Sequence, residues 1–328
     1  MQKCGAQIAS RRVTSEILEV PHPQRGVITF PPAGRDAQIK MKDLILNADD
    51  FGYTTGVNEG IVRGHRDGIL TSATLMANGP AFDDAVERAK ANPKLGIGCH
   101  LVLTGGFSVA PKEEIPSLAD ADGRLPLSLD ALVARVSVGS VRTKEIETEL
   151  RAQLEKIRRA GIELTHVDTH KHTHVHPRVM GAVGRVAREF GITRVRNPIE
   201  NLGDSWRTAR SEHAPLVGNM AASLAVRAVG SWFNSLARKY GLRSPDHFLG
   251  LAITGRLSAA ALCRLIDTVP EGRTEIMLHP GILDAGLVKS GSRLQQQRQT
   301  ELDGLLSPES RRAVEANGIR LISYRELN

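Results

Sequence analysis

From Asp43 onward, short apolar runs alternate with amphipathic stretches, a pattern that predicts repeated βα units around a parallel sheet. The apolar runs predict strands at 44–47, 71–76, 95–103, 164–168, 193–196, 275–279 and 320–324, six of them clear and one marginal. Helical periodicity predicts helices at 56–67, 82–92, 143–160, 177–190, 258–268, 293–306 and 308–317. In 143–160, Ile146, Leu150, Leu154 and Ile157 share one face, and Thr143 is expected to cap the start. Residues 104–126, rich in Pro, Gly and Asp, read as a loop.

Strict βα order fits an open doubly wound sheet or a barrel. A dinucleotide-binding sheet needs a GxGxxG turn after the first strand, and here the chain reads Asn47-Ala48-Asp49-Asp50-Phe51-Gly52. A distorted (βα) barrel with fewer than eight regular strands is the better expectation, because polar strand ends then converge on one face. The single barrel domain is expected over 41–328, with a helical insert at about 200–256. Residues 1–40 show neither hydrophobic period and no apolar signal core, so they read as a flexible extension, or the biological start is Met41. No uncharged apolar stretch is long enough to span a bilayer, and the three widely spaced cysteines argue for a reducing cytoplasm.

A net charge of +7 raises the question of a polyanion partner. Residues 1–40 carry six basic and three acidic side chains, and residues 201–256 carry seven and three, so these two segments hold the whole excess. A neutral body does not suit nucleic acid. Within the insert, 218–240 reads as an amphipathic helix with an apolar stripe of Leu224, Ala228, Val229, Trp232, Phe233, Leu236 and Tyr240, and with Arg227 and Arg238 on another face. Packing on the barrel flank is the simpler reading; peripheral contact with the inner membrane face or a lipidic substrate is the sharper one.

Candidate chemistry falls at the ends of the expected strands: Asp49 and Asp50, His100, then His166, Asp168 and His170, then Arg196, and His279. One carboxylate with two imidazoles would hold a divalent cation and leave positions open for water and substrate. Asp49 and Asp50 are adjacent, so one could ligate while its neighbour faces a water. In the run from His166 to His176, polar residues recur at strict i, i+2 spacing, and extended backbone would put them on one face. His170 is the expected ligand there, Asp168 would orient a neighbour, and His172 and His174 would line a substrate groove. His279, between an apolar strand and a Pro-Gly turn, is the candidate general acid.

Five motifs, Asn47–Gly52, Thr71–Met76, Gly98–Thr104, His166–His174 and Glu275–Gly281, together resemble the YdjC-like carbohydrate deacetylases, and the resemblance spans about residues 44–324. It implies a barrel related to the polysaccharide deacetylases, a divalent metal and removal of acetyl from an N-acetylated amino sugar. Carried over residue by residue, it makes Asp50, His100 and His170 the metal ligands, Asp49 the base, His279 the acid, and Arg196 the residue that orients Asp49. One Asp and two His suit Zn²⁺, with Mg²⁺ as the alternative. The segments Leu118–Gly123 and Asp246–Leu251 look like the hopanoid-biosynthesis-associated branch, which implies a glycolipid substrate such as an N-acetylglucosaminyl hopanoid. Rivals are a deacetylase of soluble chito-oligosaccharides, a metal-dependent phosphoesterase or amidohydrolase, and a non-catalytic glycolipid-binding module. The sequence does not fix the oligomeric state.

Overall fold

The computed structural model describes residues 41–200, 203, 224, 226–228 and 230–327. The extension expected over 1–40 and most of the insert expected at about 200–256 lie outside the described residues. Among the described residues, seven strands form one curled, all-parallel sheet. They are β1 (Lys42–Phe51), β2 (Ser72–Leu75), β3 (Gly96–Leu101), β4 (Val167–Thr169), β5 (His247–Leu249), β6 (Gly272–Leu278) and β7 (Ile319–Leu321). Their order is β4-β3-β2-β1-β6-β5, with β7 against the start of β1. Between the edges β4 and β5 only single-residue bridges occur, Val167 to Val195 and Glu200 to Phe248, so the sheet is a distorted βα barrel.

Helices α1 (Thr55–Arg66), α2 (Phe82–Ala91), α3 (Leu129–Ser137), α4 (Thr143–Arg159), α5 (Pro177–Glu189), α6 (Gly230–Lys239), α7 (Ala259–Asp267), α8 (Ala285–Lys289), α9 (Gln296–Leu306) and α10 (Pro308–Ala316) follow the strands. Strand periodicity separates two environments. Leu44, Leu46 and Ala48 of β1, Ile97, Cys99 and Leu101 of β3, and Ile276 and Leu278 of β6 enter the large apolar core. Ile45 on the other face joins Ile322, Tyr324 and Leu327 in a small separate cluster. Asn47 and Asp49 share the face of Ile45, as Thr74, His100, Asp168 and Glu275 share the corresponding face of their own strands, and all are buried. The concave side of the sheet is therefore apolar at its base and polar toward the carboxyl ends of the strands.

Several expectations need correction. The strand at 193–196 shrinks to isolated bridges at Arg194 and Val195. Helix α3 and strand β5 appear where neither was expected. Thr143 opens α4 instead of capping it; the cap position is Arg142, whose side chain makes no capping bond. Of the amphipathic stripe at 218–240, residues 218–223, 225 and 229 lie outside the described residues. The described part is divided: Phe233 is buried and Leu236 and Tyr240 half-buried, whereas Leu224 is 54% and Trp232 63% exposed. No helix among the described residues is long and apolar enough to cross a membrane.

Candidate active site

Adjacent residues of a regular strand face opposite sides, yet both Asp49 and Asp50 reach the concave cleft. The cause is local. The register of β1 against β2 shifts between Ala48 and Phe51, and Asp50 adopts φ 66°. Such a bulge re-aims a side chain at the cost of a left-handed residue, which Asp tolerates better than most. The expected extended run after β4 is likewise replaced. The strand ends at Thr169, and 170–175 wind into 3₁₀ turns with Lys171 and His172 at φ 54° and 52°.

Three ligand-type atoms converge as a result. His100 Nε2 lies 3.3 Å from His170 Nδ1, and each lies 3.5 Å from Asp50 Oδ1. Asp50 Oδ1 is buried and has no hydrogen-bond partner among the described residues. His100 and Asp168 are paired across β3 and β4, and Nδ1–H of His100 donates to Asp168 Oδ1 at 2.8 Å. That bond orients the ring so that Nε2 faces the vertex, where its lone pair would be free once a cation displaces the proton. Burial disfavours the imidazolium of His100, but Asp168, Asp49 and Asp50 together outweigh it and bring the pKa up to about 9. A second group, Asp49, His100 and Asp168, also has ligand spacing. Its cation is already present, because Arg196 donates to both carboxylates.

Arg196 is fully buried and meets three carboxylates. Nη1 and Nη2 chelate Asp49 at 2.7 and 2.6 Å, Nη1 also reaches Asp168 at 2.7 Å, and Nε donates to Glu275 at 2.9 Å. Tyr324 donates its hydroxyl to the other oxygen of Glu275 at 2.6 Å. Burial would raise the pKa of Asp49, but the Arg196 charge and hydrogen bonds prevail and hold its carboxyl far below the usual range. His279 follows β6 directly, its backbone N–H fixed by Glu301 at 2.5 Å and its Nε2 3.9 Å from Asp49 Oδ2. Burial pushes its pKa down to about 4, against the pull of Asp49 and Asp50.

The structure thus brings Asp49, Asp50, His100, Asp168, His170, Arg196 and His279 together. His172 and His174, expected to line a substrate groove, are both buried. His174 is fully buried, sharing a hydrogen bond with the Thr169 hydroxyl at 2.5 Å and placing Nε2 3.2 Å from the Arg196 carbonyl. His172 is buried against the edge of Phe248. Sequence reading missed Arg298, whose Nη2 donates to Asp50 Oδ2 at 2.6 Å, and Glu275. Glu275 follows the period-2 pattern of β6 onto the concave face and could have been found from it.

A curled parallel βα sheet with carboxylates and imidazoles converging over its strand ends defines a barrel with a site suited to cation-assisted chemistry. The chain belongs to the YdjC-like protein family, whose profile matches residues 43–316. It is 37% identical over 285 residues to a carbohydrate deacetylase of Brevibacillus brevis, covering 87% of this chain and 99% of that protein. It is 38% identical over 283 residues to a carbohydrate deacetylase of Geobacillus stearothermophilus, covering 86% and 96%. Among solved structures, an Enterococcus faecalis protein named for cellobiose-phosphate cleavage superposes with a TM-score of 0.70 at 28% identity, covering 88% of this chain and 99% of that one.

Proposed function

We propose that this chain is a divalent-metal-dependent carbohydrate deacetylase that removes acetyl from an N-acetylated amino sugar. The observation that carries the reading is the vertex of Asp50 Oδ1, His100 Nε2 and His170 Nδ1, with Asp49 and His279 beside it. Its three atoms stand 3.3–3.5 Å apart, and one carboxylate with two imidazoles is a donor set that would suit Zn²⁺. Mg²⁺, which would keep several waters of its own, is the alternative.

When bound, a divalent ion there polarises the acyl carbonyl and acidifies a water. Asp49, kept ionised by Arg196, accepts the proton of the attacking water. His279 starts neutral and must gain a proton before it can act as an acid. Its Nε2 lies 3.9 Å from Asp49 Oδ2 and would have to close to hydrogen-bond distance to take that same proton and hand it to the amide nitrogen as the C–N bond breaks. One water is consumed, and the products are acetate and a free amino sugar.

We take the substrate to be the N-acetylglucosaminyl head of a hopanoid-type glycolipid, met at the cytoplasmic face of the inner membrane. Exposed Leu224 and Trp232, with exposed Arg227 and Arg238 nearby in sequence, support a lipidic partner. The test is acetate release from a panel of N-acetylated glycolipids and soluble chito-oligosaccharides. Acetate should appear from the glycolipid, stop with chelator, return with Zn²⁺, and fall about 10²–10⁴-fold in Asp49→Ala. Equal rates on soluble oligosaccharides would remove the lipid from the reading. Binding with no acetate from any substrate would leave a non-catalytic module.

A further inference from the structure

We propose that Arg298 is a substrate-contacting residue: its free Nη1 takes an oxygen of the acyl group, and then of the acetate product, beside the vertex of Asp50, His100 and His170. Arg298 lies in the first turn of α9 and is 2% exposed. Its guanidinium is held at two points, Nη2 on Asp50 Oδ2 at 2.6 Å and Nε on the Leu294 carbonyl at 3.2 Å. Its backbone carbonyl accepts from Gly281 N at 3.1 Å, and its stem lies so close that a Cβ at Gly281 would come 3.3 Å from Cδ. The side chain therefore has little room to swing.

Nη1 is nonetheless buried with no hydrogen-bond partner among the described residues. A buried cationic donor left unpaired is costly, so a native site holding one points to a partner that arrives with the ligand. Asp50 Oδ1 and His279 Nδ1 are without partners in the same region. A metal ion satisfies Asp50 Oδ1 but cannot satisfy Nη1, because a guanidinium only donates; the missing partner is an acceptor oxygen. Charge points the same way. Arg196 is shared among Asp49, Asp168 and Glu275, whereas among the described residues the ion pair of Arg298 is with Asp50, and Glu301 adds only a longer-range attraction. Deacetylation turns a neutral amide into a carboxylate, and a fixed donor with spare hydrogens favours the oxygens on which that charge appears.

The inference rests on the deacetylase reading, and the experiment separates the two. Acetate affinity of the Zn²⁺-loaded protein would be measured by NMR titration, Zn²⁺ affinity of the metal-free protein by calorimetry, and acetate release in parallel, for wild type, Arg298→Lys and Arg298→Gln. Both variants should bind acetate about tenfold more weakly or worse. Zn²⁺ affinity of Arg298→Lys, which keeps a cation beside Asp50, should change by less than about threefold. Unchanged acetate affinity in both variants overturns the proposal, water being then the partner of Nη1. Parallel loss of Zn²⁺ and acetate in both also overturns it, since Arg298 would then only hold Asp50. A wild type that binds no Zn²⁺ and releases no acetate fails at the functional reading, and the proposal falls with it.

Discussion

Arg196 holds Asp49 by two parallel hydrogen bonds while its remaining donors engage Asp168 and Glu275. A planar fork does this; a lysine ammonium is one point charge on a flexible stem. Arg196→Lys should therefore keep the compensating charge yet let Asp49 rotate, lowering acetate release about 10²-fold at saturating substrate with KM near wild type. A variant with unchanged kcat would show that the fork does not position the base. The polar members of this site were legible where each stands at the end of an apolar run: Asp49, Asp50, His100, Asp168, His170, Arg196 and His279. Arg298 was not. It reaches Asp50 from 248 positions away, and in sequence it is one more basic residue in an amphipathic helix. The extended backbone expected at His172 and His174 is not found, because strict alternation also fits these 3₁₀ turns and nothing in Lys171-His172 announces two left-handed residues, a conformation non-glycine types seldom adopt.

Among the elements, β3 carries a constraint that only packing reveals. Gly98 faces the concave side, and a Cβ there would lie 2.4 Å from the His166 ring. That ring is stacked on Tyr324 with centroids 3.6 Å apart, and Tyr324 in turn holds Glu275. Gly98→Ala should force the stack apart and destabilise the fold by about 1–3 kcal/mol, read as a drop in Tm, with activity lost through Glu275 and Arg196. A Tm equal to wild type would mean the ring can retreat. Elements with long apolar runs or clear helical period, β1, α1, α4 and α5, were legible to within a residue or two at most of their ends. The strand expected at 193–196 is shorter than its apolar run suggests, because its pairing comes down to single bridges at Arg194 and Val195. β5 is three residues long, and α3 lies in a stretch whose Leu127, Val133 and Val138 are exposed, so the pattern there does not mark a buried face.

At the scale of the whole molecule, the polar core under the site makes stability depend on pH in a definite direction. His166 and His174 are fully buried, and burial first, then the positive charge of Arg196, lowers their pKa values, for His174 to about 3. In the unfolded chain the same imidazoles take up protons below about pH 6.5. Between those limits the unfolded state binds more protons than the folded one, so stability is fully present above about pH 6.5 and is lost as the pH falls. At about pH 5 His174 should cost about 2 kcal/mol relative to neutral pH, and His166 acts in the same direction. His166→Phe tests one of the two. A phenyl ring keeps the stack on Tyr324, and it gives up only the bond with the Thr165 hydroxyl, since Nε2 has no partner among the described residues. Urea unfolding at about pH 7.5 and about pH 5 should show the variant losing less stability than wild type over that interval. An identical loss in both proteins would show that His166 contributes nothing to the acid sensitivity.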